Sequence, residues 1–188
     1  MTGQQAKSER DLTPRCVSES RVTVSMLMNP EHANVLGNVH GGVIMKLVDE
    51  AGGLAAMRHA RSPVVTVAID SMTFEKPIYV GNFVFLTAEL TYTGRTSMEV
   101  RVEVTAENPL TSESVFTNLA YLVFVAIDDQ GRPQPVPPLC LETPEQGLRF
   151  EQAQERQIER KKQQQREQTL EEFSLANGQL DRTKSGQD

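Results

Sequence analysis

Cysteine is scarce in this chain. The two present, Cys16 and Cys140, stand near opposite ends of its apolar portion. Neither belongs to a Cys-x-x-Cys pair, so the spacing that a disulfide framework or a zinc site uses is missing. Two free thiols, and a reducing compartment that keeps them so, are the expectation. Long apolar runs are lacking as well. No stretch approaches the roughly 18 apolar residues of a membrane span, and MTGQQAKSERDLTPR at the start holds no apolar leader core. A cytoplasmic protein without membrane contact is expected. Positive charge is also short: 19 Lys and Arg against 25 Asp and Glu leave a formal net charge of −6. Without a basic stripe the chain does not fit a general nucleic-acid binder. A phosphorylated ligand stays open, because a few local cations and backbone amides hold a phosphate whatever the net charge.

The apolar residues are unevenly spread. Residues 12–144 contain five of the seven Phe and all three Tyr, whereas residues 145–188 contain ten Gln among mixed charges. This predicts a disordered tail over 1–14, one domain over 15–144 with enough length for its own core, and a polar extension over 145–188, helical or disordered. Between Glu159 and Thr169 the extension has no apolar residue, and no heptad of apolar positions marks a coiled coil.

Within the domain, Arg21–Met28 opens with strict alternation, as a strand with one buried face does. Asn29-Pro30 makes a turn, and the glycine-rich loop Asn34–Gly42 follows. From Val43 to Arg58 the period becomes helical, with Ile44, Leu47, Val48, Ala51, Leu54 and Ala55 on one face. Four strand-like runs come next, over 64–72, 82–93, 97–106 and 115–127, punctuated by turns at Gly81-Asn82, Gly94-Arg95, Asn108-Pro109 and Asp129-Gln130-Gly131. In the third run, Met98, Val100, Val102 and Val104 alternate with Glu99, Arg101 and Glu103, which predicts one wet face. Prolines 133, 135, 137 and 138 end the sheet. The order predicts an α+β fold: an antiparallel sheet curled around one helix. That helix carries Gly52, Gly53, Ala55 and Ala56 and would be unstable unless enclosed.

Gly37-Asn38-Val39-His40-Gly41-Gly42-Val43-Ile44-Met45-Lys46-Leu47-Val48-Asp49-Glu50-Ala51-Gly52 resembles the signature of the hotdog-fold acyl-CoA hydrolases. It is most similar to the group that holds brain acyl-CoA hydrolase and the YciA-type thioesterases. The similarity extends more loosely through Asp70–Pro77, Gly94–Val100 and the strand ending at Val125, covering about residues 20–140. It implies a hotdog fold, a sheet wrapped on the long helix, and dimers with a continuous sheet that commonly assemble as trimers of dimers, hence hexamers. It also implies hydrolysis of an acyl thioester of coenzyme A. No cofactor and no metal are implied, coenzyme A being part of substrate and product.

Thioester hydrolysis needs an activated water or nucleophile, donors for the developing oxyanion, and a grip on the carrier. Backbone amides near Gly42, in the Gly41-Gly42 pair just before the helix, are the expected oxyanion donors, since glycine admits a close approach and a helix N-terminus adds about half a positive charge; the alternative is a structural entry turn. Asp49 lies near the apolar face of the helix, where a carboxylate is costly unless it is used or paired. On the resemblance it is assigned as general base, in preference to Glu50, with nucleophilic attack through an anhydride as the alternative. Asn38 can orient water or the carbonyl, or serve only as a left-handed turn residue. His40 could polarise the thioester or merely support its loop. For coenzyme A the candidates are Arg95, Thr96 and Ser97, in a turn, and the cation Lys76. Arg58 is a further cation, and His32 and His59 receive no role. The acyl chain is expected along the helix near Met45 and Val48.

Two other functions compete. A hotdog hydratase or dehydratase acting on acyl thioesters keeps the fold, but the Asn-Val-His-Gly-Gly…Asp-Glu-Ala pattern departs from the His and acid motif of those relatives. A non-catalytic acyl-CoA sensor would carry a DNA-binding segment, and residues 1–20 are too short and polar for one.

Overall fold

The computed structural model describes residues 10–184. A two-residue strand β1 (Arg15–Cys16) leads into a helical turn α1 (Val17–Ser20) and strand β2 (Val22–Leu27). After a short 3-10 turn comes the long helix α2 (Gly41–Ala60). Four strands follow: β3 (Val64–Phe74), β4 (Phe83–Thr93), β5 (Ser97–Asn108) and β6 (Glu113–Ala126). A short β7 (Leu139–Cys140) precedes helix α3 (Pro144–Lys184).

Strands β2 to β6 form one antiparallel sheet in the order β2-β4-β5-β6-β3. This is the α+β arrangement expected from the sequence: five strands around one helix. Alternation puts Val84, Leu86, Ala88 and Leu90 of β4, Met98, Val100, Val102 and Val104 of β5, and Ala120, Leu122 and Phe124 of β6 against α2. From the helix, Ile44, Leu47, Val48, Ala51, Ala55 and Ala56 complete that core. Gly52 is required by this packing: a Cβ there would stand 3.0 Å from the Phe124 ring. The helix thus forgoes propensity for close contact with the sheet.

Leu54 departs from expectation. It is 45% exposed, because the buried arc is narrower than the apolar arc of the sequence. With Met45 and Met57, also exposed, it leaves an apolar stripe on the outside of α2. Beside it, the sheet ends in the unpaired edge of β3, where Val65, Val67 and Ile69 are exposed too. Apolar side chains on an open strand edge are a surface prepared for a further chain.

The face of β5 expected to be wet is partly covered. Glu99 is buried and accepts a 2.7 Å hydrogen bond from Thr91 Oγ1. Glu89 on β4 is also buried, with Arg21 at 3.4 Å on one side and Arg149 hydrogen-bonded on the other. Arg149 and Phe150, whose ring centroid is 5.1 Å from that of Tyr92, therefore belong to the compact unit that ends at Phe150. The domain expected over 15–144 stops six residues before the end of that unit, because an arginine inside a polar run has the pattern of solvated charge. From Glu151 a second unit continues as helix, held locally by pairs such as Gln163 to Glu167.

Most of the tail expected over 1–14 lies outside the described residues. Arg10 is described, and it donates to Ala60 O at 2.8 Å and to Ser62 Oγ at 3.0 Å. The prolines follow the last strand of the main sheet, as expected. They carry the chain back along the domain to β7, which pairs in parallel with β1.

Candidate active site

Two recesses hold the residues of interest. The first, about 220 Å³, lies at the N-terminal end of α2 and is lined by Asn34, Asn38, Gly41, Phe74, Lys76 and Asn118, among others. The loop that shapes it is locally determined. Gly37 takes φ +82°, which a residue without Cβ adopts freely, and Asn34 Oδ1 accepts from Leu36 N at 2.8 Å. Asn38 is not the left-handed residue. It bridges to Tyr79, and its carbonyl accepts from Asn34 N at 2.7 Å. Both contacts are made by the Asn38 backbone, and Asn34 and Asn38 line the recess together.

His40 is the N-cap of α2, and its Nδ1 accepts from Gly42 N at 2.9 Å. That contact engages the Gly42 amide, one of the two amides of the expected oxyanion pair, with the capping ring. A Cβ on Gly42 would sit 3.0 Å from His40 Nδ1, so glycine there serves the cap. The recess is instead faced by Gly41, the first residue of the helix. The ring thereby supports the entry to α2.

Asn118 on β6 stands on the floor of the same recess. It is fully buried; its Nδ2 donates to Thr73 O at 2.8 Å, while its Oδ1 has no hydrogen-bond partner among the described residues. A buried acceptor left unpaired costs about 1–3 kcal/mol, so such groups mark places where water or ligand sits.

The second recess, about 400 Å³, is lined by Asp49, Glu50, Gly53, Leu54, Met57, Val64, Thr66 and Phe124. Here Thr66 Oγ1 donates to Asp49 Oδ1 at 2.7 Å. The register of β3 shifts immediately after Thr66, leaving Val67 as an extra residue, and edge bulges of this kind re-aim neighbouring side chains. Glu50 pairs with Lys46 at 3.6 Å, so the two adjacent carboxylates have different partners. The expected acyl path needs correction: Val48 is 1% exposed and part of the core. The apolar wall beside Asp49 comes from Leu54, Met57, Val64 and Phe124 instead.

The two recesses share no residue. Gly41 and Asp49 are eight residues apart on α2, about 12 Å along its axis. The candidates for coenzyme A divide in the same way. Lys76 lines the first recess. The Arg95–Ser97 turn lies at the end of the sheet that carries Thr66: Met98 pairs with Phe124 and Phe124 with Thr66, two strand spacings or about 10 Å across. Among the described residues no cluster of three or more His, Cys, Asp or Glu is placed to hold a metal ion, and no helix is long and apolar enough to cross a membrane.

The thioesterase superfamily model matches residues 36–113, from the helix-entry loop to the start of β6. The acyl-CoA thioester hydrolase YkhA of Bacillus subtilis, itself uncharacterised, is 35% identical over 156 residues, covering 83% of this chain and 91% of the relative. The chain belongs to the hotdog-fold acyl-CoA thioesterase family. Within this thioesterase family, the cytosolic acyl coenzyme A thioester hydrolase of Mus musculus is 34% identical over 151 residues. That match takes in 79% of this chain and 39% of the mouse protein, so the chain spans about two fifths of that relative. The acyl-CoA hydrolase of Staphylococcus aureus, solved with butyryl coenzyme A, is 33% identical with a TM-score of 0.77, covering 86% of this chain and 98% of its own. That hydrolase has also been solved with alanine replacing an asparagine, an aspartate fifteen residues further on, or a threonine seventeen beyond the aspartate. Other thioesterases of similar fold are hexameric.

Proposed function

We propose that this protein hydrolyses acyl-CoA to a free carboxylic acid and coenzyme A, at sites shared between two copies of the chain. One observation carries the reading: Asp49 is oriented by Thr66 at 2.7 Å at the mouth of an apolar recess. The spacing of the three substituted residues in the Staphylococcus aureus hydrolase supports it, because Asn34, Asp49 and Thr66 repeat that spacing here. Asn34 accordingly takes the positioning role first given to Asn38.

In this mechanism the thioester carbonyl oxygen sits at the N-terminus of α2. The Gly41 amide and the Asn34 side chain donate to it, with the helix dipole reinforcing them. Asp49 of a second copy takes a proton from water as the water oxygen attacks the thioester carbon. Collapse of the tetrahedral intermediate breaks the carbon–sulfur bond, and the departing thiolate recovers the proton from Asp49. An antiparallel pair of α2 helices brings Asn34, Gly41 and Lys76 of one copy opposite Asp49, Thr66 and the Arg95–Ser97 turn of the other. Coenzyme A phosphates then meet cations from both copies.

The open edge of β3 and the apolar stripe of Met45, Leu54 and Met57 are the surfaces such a pair would bury. A hexamer follows the hexameric relatives, built in this proposal as a trimer of such pairs, and a cytosolic location follows the mouse relative's name. The test is release of free thiol from acyl-CoA substrates of graded chain length, followed with a thiol reagent. Hydrolysis of at least one chain length is expected. Hydration of a 2-enoyl thioester without thiol release, or binding without turnover, would replace the proposal with a hydratase or a sensor.

A further inference from the structure

The two cysteines, 124 positions apart in sequence, are register partners in the parallel pair formed by β1 and β7. Opposed residues on neighbouring strands have Cα atoms about 4.8 Å apart, inside the roughly 4.4–6.8 Å range of disulfides. The pairing is pinned on both sides. Arg15 N donates to Pro138 O at 3.0 Å before it. After it, Ser18 N and Oγ donate to the Glu142 carboxylate at 2.8 and 2.6 Å. Both thiols are free and partly exposed.

We propose that Cys16 and Cys140 form a reversible intramolecular disulfide by exchange with a low-molecular-weight disulfide such as oxidised glutathione. One thiolate attacks a sulfur of the small disulfide, breaks its S–S bond and expels one small thiol, leaving a mixed disulfide. The neighbouring cysteine gives up its proton and attacks the protein sulfur of that mixed disulfide, forming the Sγ–Sγ bond and expelling the second small thiol. Two electrons pass from the protein to the small disulfide. The fixed register gives the second step a high effective concentration, so the mixed disulfide does not accumulate.

The hydrogen bond with Cys140, burial, and the nearby charges of Cys140, Glu142 and Glu19 all raise the Cys16 thiol above its ordinary value. Attack by Cys16 itself is therefore slow near neutrality and faster in alkali. The bond would close a loop around the whole sheet and α2, and so constrain the unfolded chain strongly. It would lock β1 onto the segment leading to α3.

The reduced full-length chain is equilibrated in buffers of graded reduced-to-oxidised glutathione ratio, its remaining thiols are alkylated, and its mass and unfolding temperature are recorded. The expected product is monomeric under denaturing conditions, lighter by two hydrogen atoms, with the Cys16 and Cys140 peptides linked. Its unfolding temperature should exceed that of the same chain reduced by about 5–15 °C, and dithiothreitol should reverse both changes. Cys16→Ser and Cys140→Ser should each keep a glutathione adduct instead. Independent glutathionylation of both thiols in the wild type, a link between chains, or two thiols still alkylatable in the most oxidising buffer overturns the proposal. None of these readouts depends on thioester hydrolysis.

Discussion

Thr66→Val removes one hydroxyl and keeps the shape of the side chain. In the structure that hydroxyl is 2.7 Å from Asp49 Oδ1, the length of a good hydrogen bond to a carboxylate. Such bonds contribute about 1.5–3 kcal/mol where they are made. Thr66 is exposed in the single chain, on an edge strand, and valine suits a strand, so the fold should lose no more than about 0.5 kcal/mol. The cost should fall on the base instead. If the bond holds the carboxylate toward water in the transition state, about 1.4–2.5 kcal/mol is lost there, or roughly 10- to 70-fold in kcat. Removing the carboxylate by Asp49→Ala should cost more, about 10²–10⁴-fold, while a non-hydrolysable acyl-CoA analogue still binds. KM for Thr66→Val should stay near wild type, because the hydroxyl faces the base rather than the carrier. Thiol-release kinetics at saturating and limiting acyl-CoA separate the two parameters. A kcat within twofold of wild type, or a change confined to KM, would refute the orienting role of Thr66.

Asn118→Leu removes both the unpaired Oδ1 and the Nδ2 bond to Thr73 O, two changes that offset in stability to within about 1–2 kcal/mol; at least a tenfold loss of kcat/KM is expected. A fall in kcat alone would point to the lytic water, and a rise in KM to a substrate N–H; unchanged kinetics would make the orphan acceptor purely structural. Arg149→Ala strips a partner from the buried Glu89 while Arg21 remains, so a loss of about 2–3 kcal/mol is expected from the 3–5 kcal/mol of a fully broken buried pair, read as a fall in unfolding temperature of about 4–12 °C. Ending the chain after Thr143 should be at least as destabilising, and an unchanged melting curve for either variant would return Arg149 to the solvated extension. His59 is buried between Ser20 Oγ at 3.4 Å and Pro137 O at 3.0 Å, and burial pushes its pKa down. The unfolded chain takes up a proton below about pH 6.5 that the folded chain resists; stability is whole above that value and falls on acidification, at up to about 1.4 kcal/mol per pH unit. Comparing His59→Gln with wild type between pH 7.5 and 5 should show the shallower slope in the variant, and parallel slopes would contradict the assignment.

The main sheet and α2 were legible because alternation and helical period were strong over long segments, and each boundary was close. The helix begins at Gly41 rather than Val43 because the His40 ring caps it, a contact that periodicity does not contain. Pairings between residues far apart in sequence were not legible. Cys16 and Cys140 look unrelated until β1 meets β7, and Arg149 looks solvated until Glu89 is seen beneath it. Within the candidate site, Asp49 stood out as a carboxylate in an apolar helix. Thr66 lay in a run that read only as β-branched strand, with nothing local to say that β3 returns alongside Asp49. Asn34 and Asn38 share one loop and line one recess, and only the fifteen-residue spacing to Asp49 singles out Asn34.

The division of the site between two copies is tested most directly by complementation. Asn34→Ala and Asp49→Ala chains, each nearly inactive, are unfolded, mixed at equal ratio and refolded, with subunit exchange verified by mass. Half of the pairs are then mixed, and a mixed two-fold pair contains one doubly substituted site and one intact site. A shared site predicts recovery to about one quarter of wild-type activity. Activity that remains at the average of the two variants, with mixed assemblies present, would place both residues in a single-chain site and contradict the account.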